Sequence, residues 1–548
     1  MANQHTGGDA VIDVLQAAGV EVVFGVISIH NIALYDAIAR RGGIRAIPTR
    51  SEAGAVNMAD GYARASGRLG VAITSTGTGA GNACGALVEA LTAGSPVLHL
   101  TGQIASAHLD KGKGFIHEVK DQLGMLRSVS KQAFRPIAVE AIAPTVVAAI
   151  EQALTAPRGP VSVEIPVDYQ HADAPPVSLC PRPPERRAPD PLQIQRAAAL
   201  LATARRPLIW AGGGVIAAEA GPEVQELAER LGAGVLTSTA GRGALPEDHP
   251  LCLGNFGSSP ALEPLLRSAD LLLAVGTHLR ANETRGWSLP LPKRLIQLDV
   301  DPLAIGRAYP ASLGVIGDAK LALRALLDAL PPAARAEGGY QQEIAAARQA
   351  ARAALRATLG PYERLVDDLR VLLPRDSLLV RDVTISTSTW GNRLLEIYQP
   401  RTSIHASGGG IGQGFQMALG AKLACPERVV VALVGDGGLL VNVGELATAV
   451  QERIAVILVV FNDHGYGVLR NIQDVRYGGR RIGVDLPAPD LIRLAEAFGA
   501  WGCRVSAVED FRTAFQAAME VQGPALIEVD LVRIGPFAEP FSGPAGSI

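Results

Sequence analysis

The stretch VVVALVGDGGLLVNVGELATAVQERIAVILVVFND, residues 429–463, decides the fold. A first apolar run breaks at Gly435-Asp436-Gly437, a helical pattern follows, and a second apolar run breaks at Asn462-Asp463. Unbroken Val/Ile/Leu runs joined by a helix are typical of parallel strands covered on both faces. The stretch predicts a strand–helix–strand unit, with Asp436 and Asn462 at the carboxyl ends of two buried strands.

The same alternation divides the chain into three regions, residues 1–172, 190–330 and 360–535. A proline-rich linker, residues 173–193, separates the first two, because proline fixes φ and removes a backbone donor. A second linker leads into an Ala/Arg-rich helical pattern over residues 341–360. The sequence predicts an α/β protein with three doubly wound parallel-sheet domains.

Composition narrows the possible partners. The formal net charge of the 548 residues is only -3, and aromatic residues make up 4%, so nucleic acid and membrane surfaces are not expected partners. The 5 cysteines form no CxxC pair, which fits a reducing compartment better than a disulfide framework or a zinc site. The polar N-terminus does not resemble a signal peptide, and no apolar run is long enough to span a bilayer. We expect a cytoplasmic protein that acts on small molecules.

Oxygen-bearing side chains at two strand ends predict a metal site. A carboxylate from Asp436 and an amide oxygen from Asn462 suit Mg²⁺, which usually completes its shell with phosphates and water. The backbone carbonyl of His464 is the candidate third ligand. The flanking glycines would let the backbone approach a diphosphate; the candidate cofactor contacts here are Gly435, Gly437, Gly438, His464, Gly465 and Tyr466. Alternatively, the glycine segment is only a turn and Asn462 a helix cap.

Two further motifs complete a recognisable set. They are TRSEAGAVNMADGYAR, residues 49–64, and SGGGIGQGFQMALGA, residues 407–421. With the Gly-Asp-Gly and Asn pair, they resemble the thiamine-diphosphate-dependent decarboxylase and acetolactate synthase superfamily over nearly the whole chain. The resemblance implies a pyrimidine-binding domain in residues 1–172, a Rossmann-like central domain in 190–330 and a diphosphate-binding domain in 360–535.

The resemblance also implies roles for single residues. Glu52 would share a proton with the cofactor's pyrimidine ring, whose imino nitrogen then removes the C2 proton. Ile411 would be the apolar wedge that bends the cofactor, and the carbonyl of Gly409 would accept a hydrogen bond from the amino group. Alternatively, Glu52 caps a helix and the glycine-rich segment is an ordinary turn.

Weaker candidates surround these. Thr76 lies in STGTGAGN, residues 75–82, where the family pattern has serine; Thr384 and Ile385 lie where the family's third domain touches the diphosphate. His30 and His117 match positions where relatives carry a pocket histidine or glutamine, and we predict that they move protons. Structural roles remain open for all of these. The minor candidates are Ile29 and Ser75 in the pocket and Lys111 and Lys113 at its border.

The resemblance implies a thiamine-diphosphate- and Mg²⁺-dependent lyase or carboligase. It would act on 2-oxo acids or 2-hydroxy ketones through ylid and enamine intermediates, as a decarboxylase or an acetolactate-synthase-like enzyme. Benzaldehyde-lyase-type cleavage and ligation of acyloins is one alternative. Another is a flavin or nicotinamide oxidoreductase that uses WAGGGV, residues 210–215. The departure of GTHLRANETRG, residues 276–286, from the flavin-binding pattern of acetolactate synthases makes FAD doubtful. The active sites would lie at subunit interfaces of a homodimer or homotetramer.

Overall fold

The computed structural model describes residues 5–332, 336–487, 489–541 and 543. Part of the second linker, residues 333–335, lies outside the described residues. The described chain forms three six-stranded sheets, and the paired strands run parallel with helices packed against them. The predicted fold class, three parallel α/β sheets, is confirmed.

The first domain is the one that contains the first sheet. Its strands are β1 Val22–Gly25, β2 Arg45–Pro48, β3 Gly70–Thr74, β4 Val97–Gln103, β5 Gln132–Phe134 and β6 Val161–Pro166. Its helices are α1 Gly7–Ala17, α2 Ile32–Arg41, α3 Glu52–Ser66, α4 Thr78–Ala93, α5 Gln122–Val129, α6 Ile142–Leu154 and α7 Val167–His171. The sequence sets the bounds of α3, because the Ser51 hydroxyl accepts the Gly54 N–H at one end and Gly67 is left-handed (φ 75°) at the other.

The middle domain contains the second sheet. Its strands are β7 Pro207–Ala211, β8 Gly234–Thr237, β9 Cys252–Gly254, β10 Leu271–Val275, β11 Leu295–Asp299 and β12 Leu313–Ile316. Its helices are α8 Pro191–Ala202, α9 Gly213–Ala218, α10 Gly221–Leu231, α11 Glu263–Ser268 and α12 Ala319–Ala329.

The third domain contains the third sheet and follows helix α13 Tyr340–Ala357, which is mostly exposed, as its Ala/Arg-rich pattern predicts. Its strands are β13 Leu378–Arg381, β14 Ser403–His405, β15 Val430–Gly435, β16 Ile457–Asn462, β17 Trp501–Val505 and β18 Ala525–Asp530. Its helices are α14 Glu363–Leu372, α15 Gly414–Ala424, α16 Asp436–Val441, α17 Glu445–Gln451, α18 Gly467–Arg476, α19 Leu491–Phe498, α20 Phe511–Met519 and α21 Leu531–Ile534; a π-helical turn covers Thr387–Gly391.

The order of the strands locates the crevices where ligands bind. The first sheet runs β2-β1-β3-β4-β6-β5, and the third runs β14-β13-β15-β16-β18-β17, so their relative orders are identical. The middle sheet runs β12-β11-β10-β7-β8-β9, the order of a dinucleotide-binding fold. In open parallel sheets, ligands bind outside the carboxyl ends of the strands where the chain changes direction. In the first and third sheets this point lies between β1 and β3 and between β13 and β15.

Helices α3 and α15 join the first and third domains within one chain. They cross closely and antiparallel: a Cβ on Gly61 would lie 2.0 Å from the Met417 carbonyl oxygen, and one on Gly420 would lie 1.9 Å from that of Met58. Such contacts admit only glycine. Among the described residues, every helix is too short or too polar to cross a membrane.

Candidate active site

Two strand ends of the third sheet bring the predicted metal ligands to one edge. Asp436 begins α16 directly after β15, and its Oδ2 accepts the Gly465 N–H at 3.0 Å. Asn462 ends β16, and its Oδ1 accepts the His464 N–H at 3.1 Å. The Tyr466 ring covers Gly437, where a Cβ would lie 2.7 Å from the ring edge. The loop after β16 therefore folds back over the turn after β15.

The electrostatics of this edge suit a cation. Burial, with a smaller contribution from the neighbouring carboxylate of Asp463, raises the pKa of Asp436 to about 6. The buried carboxylate of Asp436 and the partly buried carboxylate of Asp463, beside an amide oxygen, form a hard-oxygen site whose repulsion a divalent cation would relieve. The residues present therefore fit Mg²⁺.

The third predicted ligand has other partners. His464 adopts a left-handed conformation (φ 58°), and its carbonyl accepts the Leu486 N–H at 2.9 Å and an Arg470 N–H at 3.3 Å. Coordination by this carbonyl stays a prediction.

The glycine loop, residues 406–413, connects β14 to α15 and carries Gly409 and Ile411. Gly409 adopts a positive φ of 80°, a backbone conformation that glycine allows without steric cost. Asp382, just after β13, holds the end of this loop: its Oδ2 accepts the N–H groups of Gly412 at 2.8 Å and Gly414 at 3.4 Å. Burial raises the pKa of Asp382 to about 6, against the opposing effect of these backbone hydrogen bonds. Sequence reasoning missed this residue, although an acidic side chain at a strand end was the available signal.

Thr384 and Ile385 lie beside the same edge. The Thr384 methyl group faces Gly435, where a Cβ would lie 3.3 Å from it, and the end of the Ile385 side chain lies against Gly467. The Thr384 hydroxyl accepts the Thr387 N–H at 3.1 Å, so it caps the following turn. Contact of Thr384 and Ile385 with a diphosphate stays a prediction.

The first domain supplies Glu52, the first residue of α3. Its Oε2 accepts a hydrogen bond from the Asn82 amide at 3.2 Å, and a Cβ on Gly79 would lie 2.9 Å from its Oε1. Glu445, which sequence reasoning also missed, fixes the start of α3, since its carboxylate accepts the N–H groups of Arg50 and Ser51 at 3.1 and 3.0 Å. Glu445 lies within the stretch quoted first, but no motif marked it.

The two predicted histidines are in contact. The ring centroids of His30 and His117 are 5.1 Å apart in an edge-on arrangement, and His117 Nδ1 lies 3.2 Å from the Thr78 hydroxyl. Burial lowers the pKa of His30, and the nearby His117 lowers it further. Its Nδ1 is buried and has no hydrogen-bond partner within the described residues.

The minor candidates divide into buried and exposed positions. Thr76 is fully buried, and its hydroxyl donates to Gln122 Oε1 at 2.7 Å, inside the first domain. Ser75 is buried beside Gly79. Ile29 is 63% exposed, and Lys111 and Lys113 are on the surface.

Within one chain, Glu52 and the glycine loop lie at opposite ends of α3. Glu52 begins α3, whereas Arg64, near its other end, donates to the carbonyl of His405 at 2.6 Å, just before the glycine loop. The helical rise between Glu52 and Arg64 is about 18 Å. The contacts recorded for Glu52 within the described residues are with its own domain.

A large cleft opens at the carboxyl edge of the middle sheet. Its volume is about 960 Å³, and its lining runs from Gly213 and Asp299 through Arg158 and Arg280 to Gly409. Burial raises the pKa of Asp299 to about 6, whereas burial and neighbouring arginines lower the pKa of Arg158. The cleft joins the middle domain to the glycine loop.

Family models cover the three domains in order. The N-terminal TPP binding domain of thiamine pyrophosphate enzymes matches residues 5–125, the central domain matches 194–326, and the C-terminal TPP binding domain matches 384–529. The chain belongs to the thiamine-pyrophosphate-dependent decarboxylase and acetolactate synthase superfamily. The resemblance noted in the sequence is confirmed.

Relatives of this thiamine-pyrophosphate enzyme match it from end to end. A "Probable 2-ketoarginine decarboxylase" of Pseudomonas aeruginosa is 34% identical and covers 96% of this chain and 94% of its own length. A "Probable acetolactate synthase large subunit" of Methanocaldococcus jannaschii is 32% identical, covering 95% and 91%. The X-ray structure of a "putative thiamin diphosphate-dependent enzyme" from Mycobacterium smegmatis superposes with a TM-score of 0.80 at 24% identity, covering 96% of this chain and 99% of that one. This structure supports the fold.

Proposed function

We propose that the protein binds thiamine diphosphate through Mg²⁺ and uses it to cleave or form carbon–carbon bonds next to the carbonyl of 2-oxo acids or 2-hydroxy ketones. The observation that carries the proposal is the meeting of Asp436, Asn462 and the loop 464–466 at one sheet edge. Asp436 and Asn462 would hold the metal, and the backbone around Gly437 and Thr384 would receive the diphosphate.

The chain's own groups have separate tasks. Bound thiamine diphosphate supplies the nucleophilic carbon that attacks the substrate carbonyl. Glu52 holds a proton against the pyrimidine ring, and Asn82 keeps its carboxyl oriented. Ile411 would lie against the cofactor, and the Gly409 carbonyl would accept a hydrogen bond from the cofactor's amino group. His30 and His117 exchange protons with the substrate.

The active site requires two chains. Glu52 and the glycine loop are separated along α3 in one chain, so one ligand would meet Glu52 of one subunit and Asp436 of another. Exposed apolar side chains accompany both halves: Ile27, Ile29, Phe115 and Ile116 near the histidines, and Val441 and Leu469 near Asp436. A homodimer, or a pair of dimers, would bury them.

Titration calorimetry with thiamine diphosphate in the presence of Mg²⁺ tests the cofactor. We expect binding that disappears when Mg²⁺ is chelated, and the absence of binding would contradict the proposal.

A panel of pyruvate, benzoylformate, benzoin and 2-oxo acids with longer side chains, with detection of CO₂ and ligation products, then separates decarboxylase, acetolactate-synthase and benzaldehyde-lyase activities. The panel also includes a 2-ketoarginine analogue, because one relative is named a probable 2-ketoarginine decarboxylase.

The middle cleft favours a second candidate function, a nucleotide-dependent oxidoreductase. The glycines after β7 occupy the position that receives pyrophosphate in dinucleotide-binding sheets, and Asp299 at the end of β11 lines the same cleft. Absorbance of the purified protein in the flavin band, and calorimetry with NAD and FAD, test it. A colourless protein that binds neither compound would eliminate this candidate.

A further inference from the structure

A buried carboxylate of the first domain reaches the glycine loop of the third. Glu89 lies on α4 and is 1% exposed. Its Oε1 accepts the Ser407 N–H at 2.6 Å, and its Oε2 accepts the Gly408 N–H at 2.6 Å. Hydrogen bonds to an ionised acceptor are short and strong, so these two bonds fix the start of the loop.

The charges around Glu89 favour this arrangement. The Nη2 of Arg64 donates to Glu89 Oε1 at 2.7 Å and to Asp60 Oδ2 at 2.6 Å. Its Nη1 donates to the His405 carbonyl. One guanidinium thus serves two buried carboxylates. The N–H groups of Ser407 and Gly408 add two further donors to the Glu89 carboxyl group, beside the one from Arg64.

The loop has a second anchor at its other end. Asp382 accepts the Gly412 and Gly414 N–H groups from the side of the third sheet. Between the Glu89 anchor and the Asp382 anchor lies only the segment 409–411. This segment contains the carbonyl of Gly409 and the side chain of Ile411, the two groups assigned to the cofactor's rings.

We propose that Glu89 is a positioning residue for the reaction: it fixes Ser407 and Gly408 so that Gly409 and Ile411 face the cofactor. The inference rests on the proposed function. Because Glu52 contacts Asn82 near the start of the same helix, α4 contacts the first-domain half of one active site and positions the third-domain half of another.

The test compares Glu89→Gln with wild type in three measurements. An amide oxygen accepts only one N–H strongly, so amide hydrogen exchange of a peptide spanning 406–412 in the cofactor-free protein should be about 10- to 100-fold faster. Exchange of strands β13 and β15 should stay unchanged. With saturating cofactor, exchange of the C2 proton should slow about 10- to 100-fold, while the Kd for the cofactor changes less than about threefold because the metal site is untouched.

Glu151→Gln is the matched control, because this carboxylate of α6 accepts the Arg182 N–H and makes no recorded contact with the loop among the described residues, so all three measurements should equal wild type. If Glu89→Gln does not fold, Glu89→Asp keeps the charge but cannot reach both N–H groups, and should change exchange in the same direction. A folded variant with wild-type exchange of both the loop and C2 overturns the inference. Failure of wild type to bind the cofactor would instead overturn the proposed function.

Discussion

The first and third sheets have the same strand order but carry different chemistry at their carboxyl ends. In the first sheet, the residues after β1, β2 and β3 are His30, Glu52 and Ser75: two titratable side chains and a hydroxyl. In the third sheet, the residues after β13 and β15 and at the end of β16 are oxygen donors, Asp382, Asp436 and Asn462.

The difference indicates a division of labour on a repeated framework. The third domain holds its groups rigidly, with backbone N–H groups aimed at buried carboxylates. The first domain leaves Glu52 half-buried and surrounds its histidines with exposed apolar residues. In the proposed function, one half would anchor a charged ligand, and the other would move protons once a second surface covers it.

Glu52→Gln should produce the largest effect, on the proton-moving half alone. The amide cannot share a proton with the pyrimidine ring, so exchange of the cofactor's C2 proton should slow about 100- to 10,000-fold. The Kd for thiamine diphosphate should stay nearly unchanged in calorimetry. Weak binding with a normal exchange rate would reverse the roles assigned to the two domains.

Asp436→Ala should break the anchoring half. Loss of a charged metal ligand should weaken cofactor binding by about 100-fold or more at fixed Mg²⁺, measured by calorimetry. Asp474→Asn is the control, because this partly exposed carboxylate on α18 pairs with Arg481. The Asp474→Asn variant should bind the cofactor as wild type does. If Asp436→Ala and wild type bind the cofactor with equal affinity, the cofactor is not held through a metal at Asp436.

Ile411→Ala should have an intermediate effect, because Ile411 would support the cofactor through an apolar contact and carries no charge. Without the branched side chain, the bent cofactor loses its support, and C2 exchange should slow about 10-fold at saturating cofactor. The stability of the protein to urea should change little, since Ile411 is only half-buried. An unchanged exchange rate would argue that Ile411 does not contact the cofactor.

Thr76→Val should have the smallest effect on the cofactor. Its hydroxyl serves Gln122, so the variant should lose about 1–3 kcal/mol of unfolding free energy while the cofactor Kd stays within about twofold. Urea denaturation and calorimetry measure the two. A large loss of affinity at normal stability would favour the cofactor role predicted from the sequence.

Much of the fold could be predicted because its strands are buried on both faces. Strands β15 and β16 are continuous Val/Ile/Leu runs, and their ends mark Asp436 and Asn462 without any structure. Short strands such as β5 and β14, of three residues each, leave no such pattern and were missed.

The groups that position the site were harder to predict than those that would touch the ligand. Glu89 lies inside α4 and Glu445 begins α17, and both act on backbone N–H groups more than 300 residues away in sequence. Nothing local distinguishes them from surface glutamates. Only tertiary packing shows that they are buried and where their carboxylates point.

The central claim is that one cofactor is held by Glu52 of one chain and Asp436 of another. Mixed dimers of a Glu52→Gln chain and an Asp436→Ala chain, purified with two different tags, test it most directly. If each active site combines Glu52 of one chain with Asp436 of the other, both substitutions fall in one site of the mixed dimer and the second site is intact. The mixed dimer should then recover about half of the wild-type C2 exchange, whereas each parent dimer stays inactive. If the mixed dimer forms but is as inactive as its parents, the two residues do not serve one cofactor across the interface.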